Sequence, residues 1–272
     1  MSVKKQVIFC TYSSIYSSKV LEQLIADKEI ELVAIINSTR VVHPQYSHLR
    51  GALQQIRTSG LAYSSYLFFI TDFFRWMQSL LFFRKWPLRN VHALAKQNQL
   101  PLLDTRDIND AQSIDFIKKY MPNYLLGAHF NQLIKKPVLE ISKIECINIH
   151  PSLLPAYKGV DPVFYALQDN KKYLGVSLHR MAETFDTGEV LMQVSLVVDK
   201  SKSLLFNNCQ LFEEGIKLAL KWMKNNNQSH AMVDDGNDIT DSYDSWPTAN
   251  AVRKFRKSGK RLMHLSELWK QQ

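Results

Sequence analysis

Two short apolar runs flank a helical stretch at the start of the chain, and that order restricts the fold more than any other feature. Val7 to Cys10 reads as a buried first strand, Lys19 to Ala26 puts Val20, Leu21, Leu24 and Ile25 on one side of a helix, and Glu31 to Ile36 supplies a second strand. A strand, a crossover helix and a second strand predict a right-handed connection and a parallel pair. The turn from the first strand into the helix, Thr11 to Ser18, holds no glycine. The dinucleotide fingerprint is therefore absent, and backbone wrapping of a phosphate is not expected there.

With 272 residues the chain can bury a sizeable core as one large domain or two small ones, and 46% hydrophobic with 22% charged residues are globular values. Cys10, Cys146 and Cys209 are far apart and sit in apolar runs. That fits reduced thiols in a cytosolic protein better than a disulfide frame or a metal site. The apolar run after Met1 to Lys5 is too short for a signal peptide. A net charge of +9 leaves two readings open: an anionic partner, or lysine used as a common solubilising residue.

Further along, Cys146 to His150 is a β-prone run with Asn148 and His150 two residues apart, so alternation points both side chains to one face at a sheet edge. Pro151 and Pro155 cannot donate to a ladder and Gly159 permits a reversal, so the strand ends at His150 and leaves its side chain at a mouth. In an open parallel sheet that is where ligands bind. The Asp186-Thr187-Gly188 turn lies in the loop Glu183 to Gly188.

Asn148-Ile149-His150-Pro151-Ser152-Leu153-Leu154-Pro155 followed by Asp186-Thr187-Gly188 resembles the active-site signature of the folate-dependent formyltransferases, the superfamily with methionyl-tRNA, glycinamide-ribonucleotide and sugar-nucleotide formyltransferases. The likeness is good over Leu100 to Gln193 and holds in outline elsewhere. It implies an α/β fold with a Rossmann-like, mostly parallel sheet, catalytic Asn148, His150 and Asp186, and 10-formyltetrahydrofolate as co-substrate without a metal. It also implies folate contacts at Gly127, Ala128, His129 and Phe130, with Asn131 beside them, and at Thr187 and Gly188. Ser152 and Lys158 are candidate acceptor contacts, Ser152 reading equally as a loop stabiliser.

Moving a formyl group from a tertiary aryl amine to a primary amine creates an oxyanion, so the site needs an aimed donor and a proton acceptor. Asn148 supplies an N–H donor, His150 donates or accepts a proton, and Asp186 favours the imidazolium and can hold a relaying water. His179, inside an alternating strand from Gly175 to Met181 with no motif partner, reads as structural.

The domain reading is a catalytic unit over 1–224, with an aromatic amphipathic helix inserted at 61–84, then a linker and basic C-terminal extension over 225–272. In the insert Tyr63, Tyr66, Leu67, Ile70, Phe73, Phe74, Met77, Leu80 and Leu81 recur at helical spacing. Asp72 and Arg75 interrupt any run long enough to span a bilayer. Core packing, a peripheral membrane contact, a homodimer contact and a wall for a greasy acceptor all remain open for it. Arg84, Lys85 and Arg89 at its end suit an anionic surface.

Asn225 to Ser229 reads as a linker, and the segment from Tyr243 through the basic Ala249 to Lys257 helix either folds back near the mouth or is an appendage. The tail is too short for the separate barrel of the methionyl-tRNA branch. The expected protein is a cytoplasmic formyltransferase acting on a primary amine of a small molecule, an amino sugar of a nucleotide sugar being favoured. Methionyl-tRNA is the first alternative acceptor and glycinamide ribonucleotide the next, the latter opposed by the glycine-free turn. A formyltetrahydrofolate hydrolase and a non-catalytic membrane or protein adaptor are the remaining classes.

Overall fold

Strand β1 (Lys5–Thr11) is apolar on both faces, and the fold places it in the middle of a sheet. The computed structural model describes residues 4–41, 46–77, 89–141, 144–225 and 240–267, with backbone only for His48, Arg75, Met77 and Leu265. Gln78, Leu80, Leu81, Arg84, Lys85 and all but Asn225 of the expected linker run lie outside the described residues. Parallel to β1 run β2 (Ile30–Ser38) on one side and β4 (Tyr124–Ala128) on the other, followed outward by β3 (Leu102–Thr105) and β5 (Glu145–His150). Two antiparallel strands, β7 (Tyr173–Arg180) and β8 (Val190–Val197), complete the order β3-β2-β1-β4-β5-β7-β8. The two-residue strands β6 (Lys158–Gly159) and β9 (Tyr243–Asp244) form a separate parallel ladder. This is the mostly parallel α/β sheet that the first 36 residues imply.

Strand alternation sends Val7 and Phe9 to one core, with α1 (Ile15–Ala26) and α8 (Leu204–Lys224), and Ile8 and Cys10 to the other, with α5 (Ala111–Tyr120). The same alternation puts Ile147 and Ile149 on the first face and leaves Cys146, Asn148 and His150 on the second. Strand β5 is interior and not an edge, so its C-terminal end, and not its side, forms the mouth. The chain crosses from β3 to the far side of β1, which makes the ends of β1 and β4 the switch point.

Helix α1 starts at Ile15, earlier than its apolar stripe, because Ser14 and Ser17 form a reciprocal capping box. The Ser14 N–H donates to Ser17 Oγ (2.7 Å) and the Ser13 N–H to Asn37 Oδ1 (2.9 Å), so side chains already occupy these donors. The Ser13 and Ser14 N–H groups of the glycine-free turn are thus committed within the protein. Asp110 caps α5, and just before it Asp107 accepts from the backbone and side-chain N–H groups of Asn109.

Helix α2 (His48–Phe68) begins well before the expected stripe and kinks at Gly60, whose φ of 77° suits glycine. A π-turn (Phe69–Phe73) and α3 (Phe74–Met77) continue it. Tyr63, Tyr66, Ile70 and Phe74 are buried as the stripe predicts, but Leu49, Leu53 and Ile56 before the kink are exposed. That first half has no buried apolar stripe, so periodicity toward a core could not mark it.

The C-terminal segment folds back. Lys158 and Val160 N–H groups donate to Ser242 and Asp244 carbonyls (2.9 and 2.8 Å), and Tyr165 Oη donates to the Ser245 carbonyl (2.9 Å). Helix α9 (Ala249–Lys257) lies on α2, and the Glu267 carboxylate accepts from the Ser203 N–H at the start of α8 (3.0 Å).

Helix α8 approaches the sheet at Gly215, where a Cβ would come within 2.3 Å of Ile149 Cγ2 and 3.0 Å of Val176 Cγ2. Gly215→Val is expected to lower the free energy of unfolding by about 1–3 kcal/mol through overpacking, read from urea denaturation.

Candidate active site

The proline-bounded loop and the antiparallel register of β7 bring three elements to the end of β5. Asn148 lies directly opposite His179 in the ladder, and His150 opposite Ser177. The turn Thr184 to Gly188 returns beside them, tied by the Thr187 hydroxyl to the Thr184 carbonyl (3.2 Å), and holds Asp186 at a left-handed φ of 56°. Asp186 Oδ1 faces His150 Nδ1 at 3.4 Å and His179 Nε2 at 3.6 Å, while Oδ2 accepts the Gly159 N–H at 2.9 Å. Gly159 is required there: its φ is 97°, and a Cβ would meet the Asp244 carbonyl oxygen at 2.3 Å.

Hydrogen bonding fixes the roles of the two rings. His179 Nδ1–H donates to the Arg180 carbonyl (2.8 Å), so Nε2 is the acceptor for the Asn148 amide N–H (3.1 Å). That contact sets which end of the Asn148 amide faces inward. Burial, then the neighbouring His150, push His179 down to about 4, against the opposing pull of Asp186. His179 is therefore neutral near pH 7, and the amide donor has a stable partner. His150 Nε2–H donates to the Tyr157 carbonyl (3.0 Å) with Nδ1 toward Asp186, and both rings are buried while Asn148 is partly exposed.

His179 is thus a site residue that its place inside a strand concealed. The signal for it is the cross-strand register, which pairs it with Asn148 once β7 is known to run antiparallel to β5.

Other expected residues are placed differently. Gly127 lies beside Asn148 in the sheet, and a Cβ there would approach Asn148 Oδ1 to 2.7 Å, so glycine makes room for the amide. His129 and Asn131 are both hydrogen-bonded to neighbouring segments of the protein. His129 Nδ1–H donates to the Tyr12 carbonyl (3.0 Å), its ring is edge-on to Tyr16 and Phe212, and burial pushes its pKa down. Asn131 accepts from Ser38 Oγ (2.6 Å) and donates to the Arg40 carbonyl (2.7 Å). Ala128 is fully buried, Phe130 packs partly into the second core, and Gly188 lies against the Arg180 carbonyl. Buried Ser152 donates to the Ala156 carbonyl (2.8 Å), which assigns its hydroxyl to the loop and not to an acceptor. Lys158 pairs with Asp241 at 2.8 Å. Among the described residues no group of His, Cys, Asp and Glu could hold a metal ion.

An Asn and a His from an interior strand and a returning Asp meet at the end of a mostly parallel sheet. Residues 84–213 match the family model described as "Formyl transferase". A methionyl-tRNA formyltransferase of Syntrophomonas wolfei is 39% identical over 109 residues, 40% of this chain and 35% of that protein. The chain thus spans about a third of the length of such curated relatives. Solved structures of the same fold include the sugar 3N-formyl transferase WlaRD, with TM-score 0.53 and 18% identity, covering 90% of this chain and 71% of that one. Glycinamide ribonucleotide transformylase 1 from Symbiobacterium toebii also matches, with TM-score 0.53 and 14% identity, covering 81% of this chain and 86% of that one.

Because the His179 pKa is depressed in the folded state, the unfolded chain binds more protons below pH 6.5. Stability therefore falls as pH drops from about 6.5 towards 4. His179→Gln keeps an acceptor but cannot be protonated. It should flatten this part of the pH–stability curve measured by urea denaturation.

Proposed function

We propose that the chain transfers a formyl group from 10-formyltetrahydrofolate to a primary amine of a small molecule, with an amino sugar of a nucleotide sugar as the favoured acceptor. The observation that carries the reading is the convergence of Asn148, His150 and Asp186 at one strand end, with Asp186 held by the Gly159 N–H. The folate supplies an activated one-carbon unit; everything else falls to the chain's own side chains. Asn148 offers its second amide N–H to the oxygen that gains charge, the first being committed to His179. His150 takes up the proton on Nδ1, beside Asp186, while its Nε2–H is held by the Tyr157 carbonyl. Asp186 compensates the imidazolium and holds the ring's orientation.

The residues fit such a co-substrate: glycine at position 127 keeps the space beside Asn148 clear, and the Asn148 amide is partly exposed. WlaRD is described in the presence of dTDP and 5-N-formyl-THF, which supports both halves of the reading by analogy of fold alone.

Methionyl-tRNA is the second reading, favoured by the sequence relatives. In the loop beside the site Asp169 accepts from Tyr157 Oη (2.8 Å), Asp241 pairs with Lys158, and the Asp244 carbonyl accepts the Val160 N–H (2.8 Å). The Asp169 carboxylate is suited to attract the ammonium group of an amine acceptor.

Mass detection of formylated product, with tetrahydrofolate release monitored in parallel, tests the proposal on dTDP-linked amino sugars and on methionyl-tRNA. Product from the amino sugars is expected. Product from methionyl-tRNA alone would shift the assignment to the second reading, and release of formate without acceptor would make the chain a hydrolase. His150→Ala and Asp186→Ala are expected to abolish product with folate binding retained, and Asn148→Ala to lower kcat by about 10² to 10³.

A further inference from the structure

Helices α2 and α9 bring together two features that are far apart in sequence, the aromatic segment and the basic tail. Between them lies a groove of about 1000 Å³. Its apolar lining comes from Leu61, Phe69, Val252, Leu262 and Met263. Its cationic lining comes from Arg253, Arg256, Lys257, Lys260 and Arg261. Among the described residues none of these five cations forms an ion pair with a carboxylate, and Lys260 alone is engaged by a polar side chain, donating to Asn170 Oδ1 (2.9 Å). Among the described residues nothing acidic contributes to the lining. So dense an uncompensated positive charge is complementary to an anionic partner.

The apolar surface beside the groove narrows the class of that partner. Leu61 lines the groove and is 69% exposed. Phe69 stacks on Phe73 (5.5 Å between centroids), which in turn meets Phe68 at 6.2 Å and Trp76 at 5.7 Å. Phe68 and Trp76 are 55% and 57% exposed. An exposed aliphatic and two exposed aromatic side chains thus run on from the cationic groove as one surface. A nucleic acid would satisfy the charges and could stack on a ring, but it offers nothing to cover Leu61. A bilayer interface satisfies both parts, phosphates for the arginines and acyl chains for the leucine and rings. Among the described residues no helix is long and apolar enough to cross a membrane, so the contact is with a surface.

We propose that the α2–α9 groove and the aromatic cluster beside it dock the protein onto an anionic phospholipid bilayer. Headgroup phosphates enter the groove among Arg253, Arg256, Lys257 and Arg261, and Leu61, Phe68 and Trp76 enter the interfacial layer. The docking surface lies outside the catalytic residues.

Co-sedimentation with vesicles of phosphatidylcholine alone, or with one-third phosphatidylglycerol, tests this on the full chain. The wild type should pellet with the anionic vesicles and remain in solution with the neutral ones. Arg253→Gln with Arg256→Gln, and separately Leu61→Glu with Phe68→Glu, should each weaken binding by about tenfold or more. All four positions are at the surface, and matching melting temperatures verify the fold of each pair. Lys254→Gln, on the same helix but outside the groove, should bind like the wild type. Three results would overturn the proposal: no pelleting with anionic vesicles, an equal loss in Lys254→Gln and the arginine pair, or retention of binding in the Leu61 and Phe68 variant. A gel shift with tRNA that is tighter than vesicle binding and unchanged in that variant would assign the groove to nucleic acid instead.

Discussion

A single carboxylate holds the site together. Asp186 meets two imidazoles with one oxygen and a backbone N–H with the other, and each partner comes from a different part of the chain. One negative charge between two rings cannot compensate two positive ones in a water-poor setting. Burial resolves the conflict by keeping His179 neutral, so that His179 serves Asn148 as an acceptor and Asp186 is left to His150. The two histidines have the same chemistry, and their surroundings give them different duties.

The sheet explains how these groups come to meet. Five parallel strands place the ends of β4 and β5 side by side, and the reversal into β7 brings His179 across the ladder from Asn148. Glycines then allow close approach at two levels, Gly127 beside the Asn148 amide and Gly159 beneath the Asp186 carboxylate. The loop 151–161 is stiffened by its own polar contacts, Ser152 to Ala156 and the Leu154 N–H to Ser177. Rigid placement of this kind is what electrostatic stabilisation of a developing charge requires.

Much of this is written locally and some is not. The β-α-β start, the stop at Pro151 and the stripe through Tyr63, Tyr66, Ile70 and Phe74 follow from periodicity and from what proline forbids. The first half of α2 was illegible because Leu49, Leu53 and Ile56 face outward, so no buried stripe marks it. His179 was illegible for another reason: its partner is set by cross-strand register, a non-local property. The protein partners of His129 and Asn131 were likewise not legible. Their hydrogen bonds go to Tyr12, Ser38 and Arg40, which are distant in sequence. The meeting of α2 with α9 likewise depends on tertiary structure, since an aromatic helix and a basic helix carry no mark of their adjacency.

The pairing of Lys158 and Gly159 with Tyr243 and Asp244 has a consequence for biosynthesis. The backbone that presents an N–H to Asp186 is braced from its other side by residues that leave the ribosome long after the signature loop has emerged. A nascent chain holding the whole sheet would still have this loop unbraced. The final geometry of the loop that meets Asp186 therefore waits on a segment made some eighty residues after it.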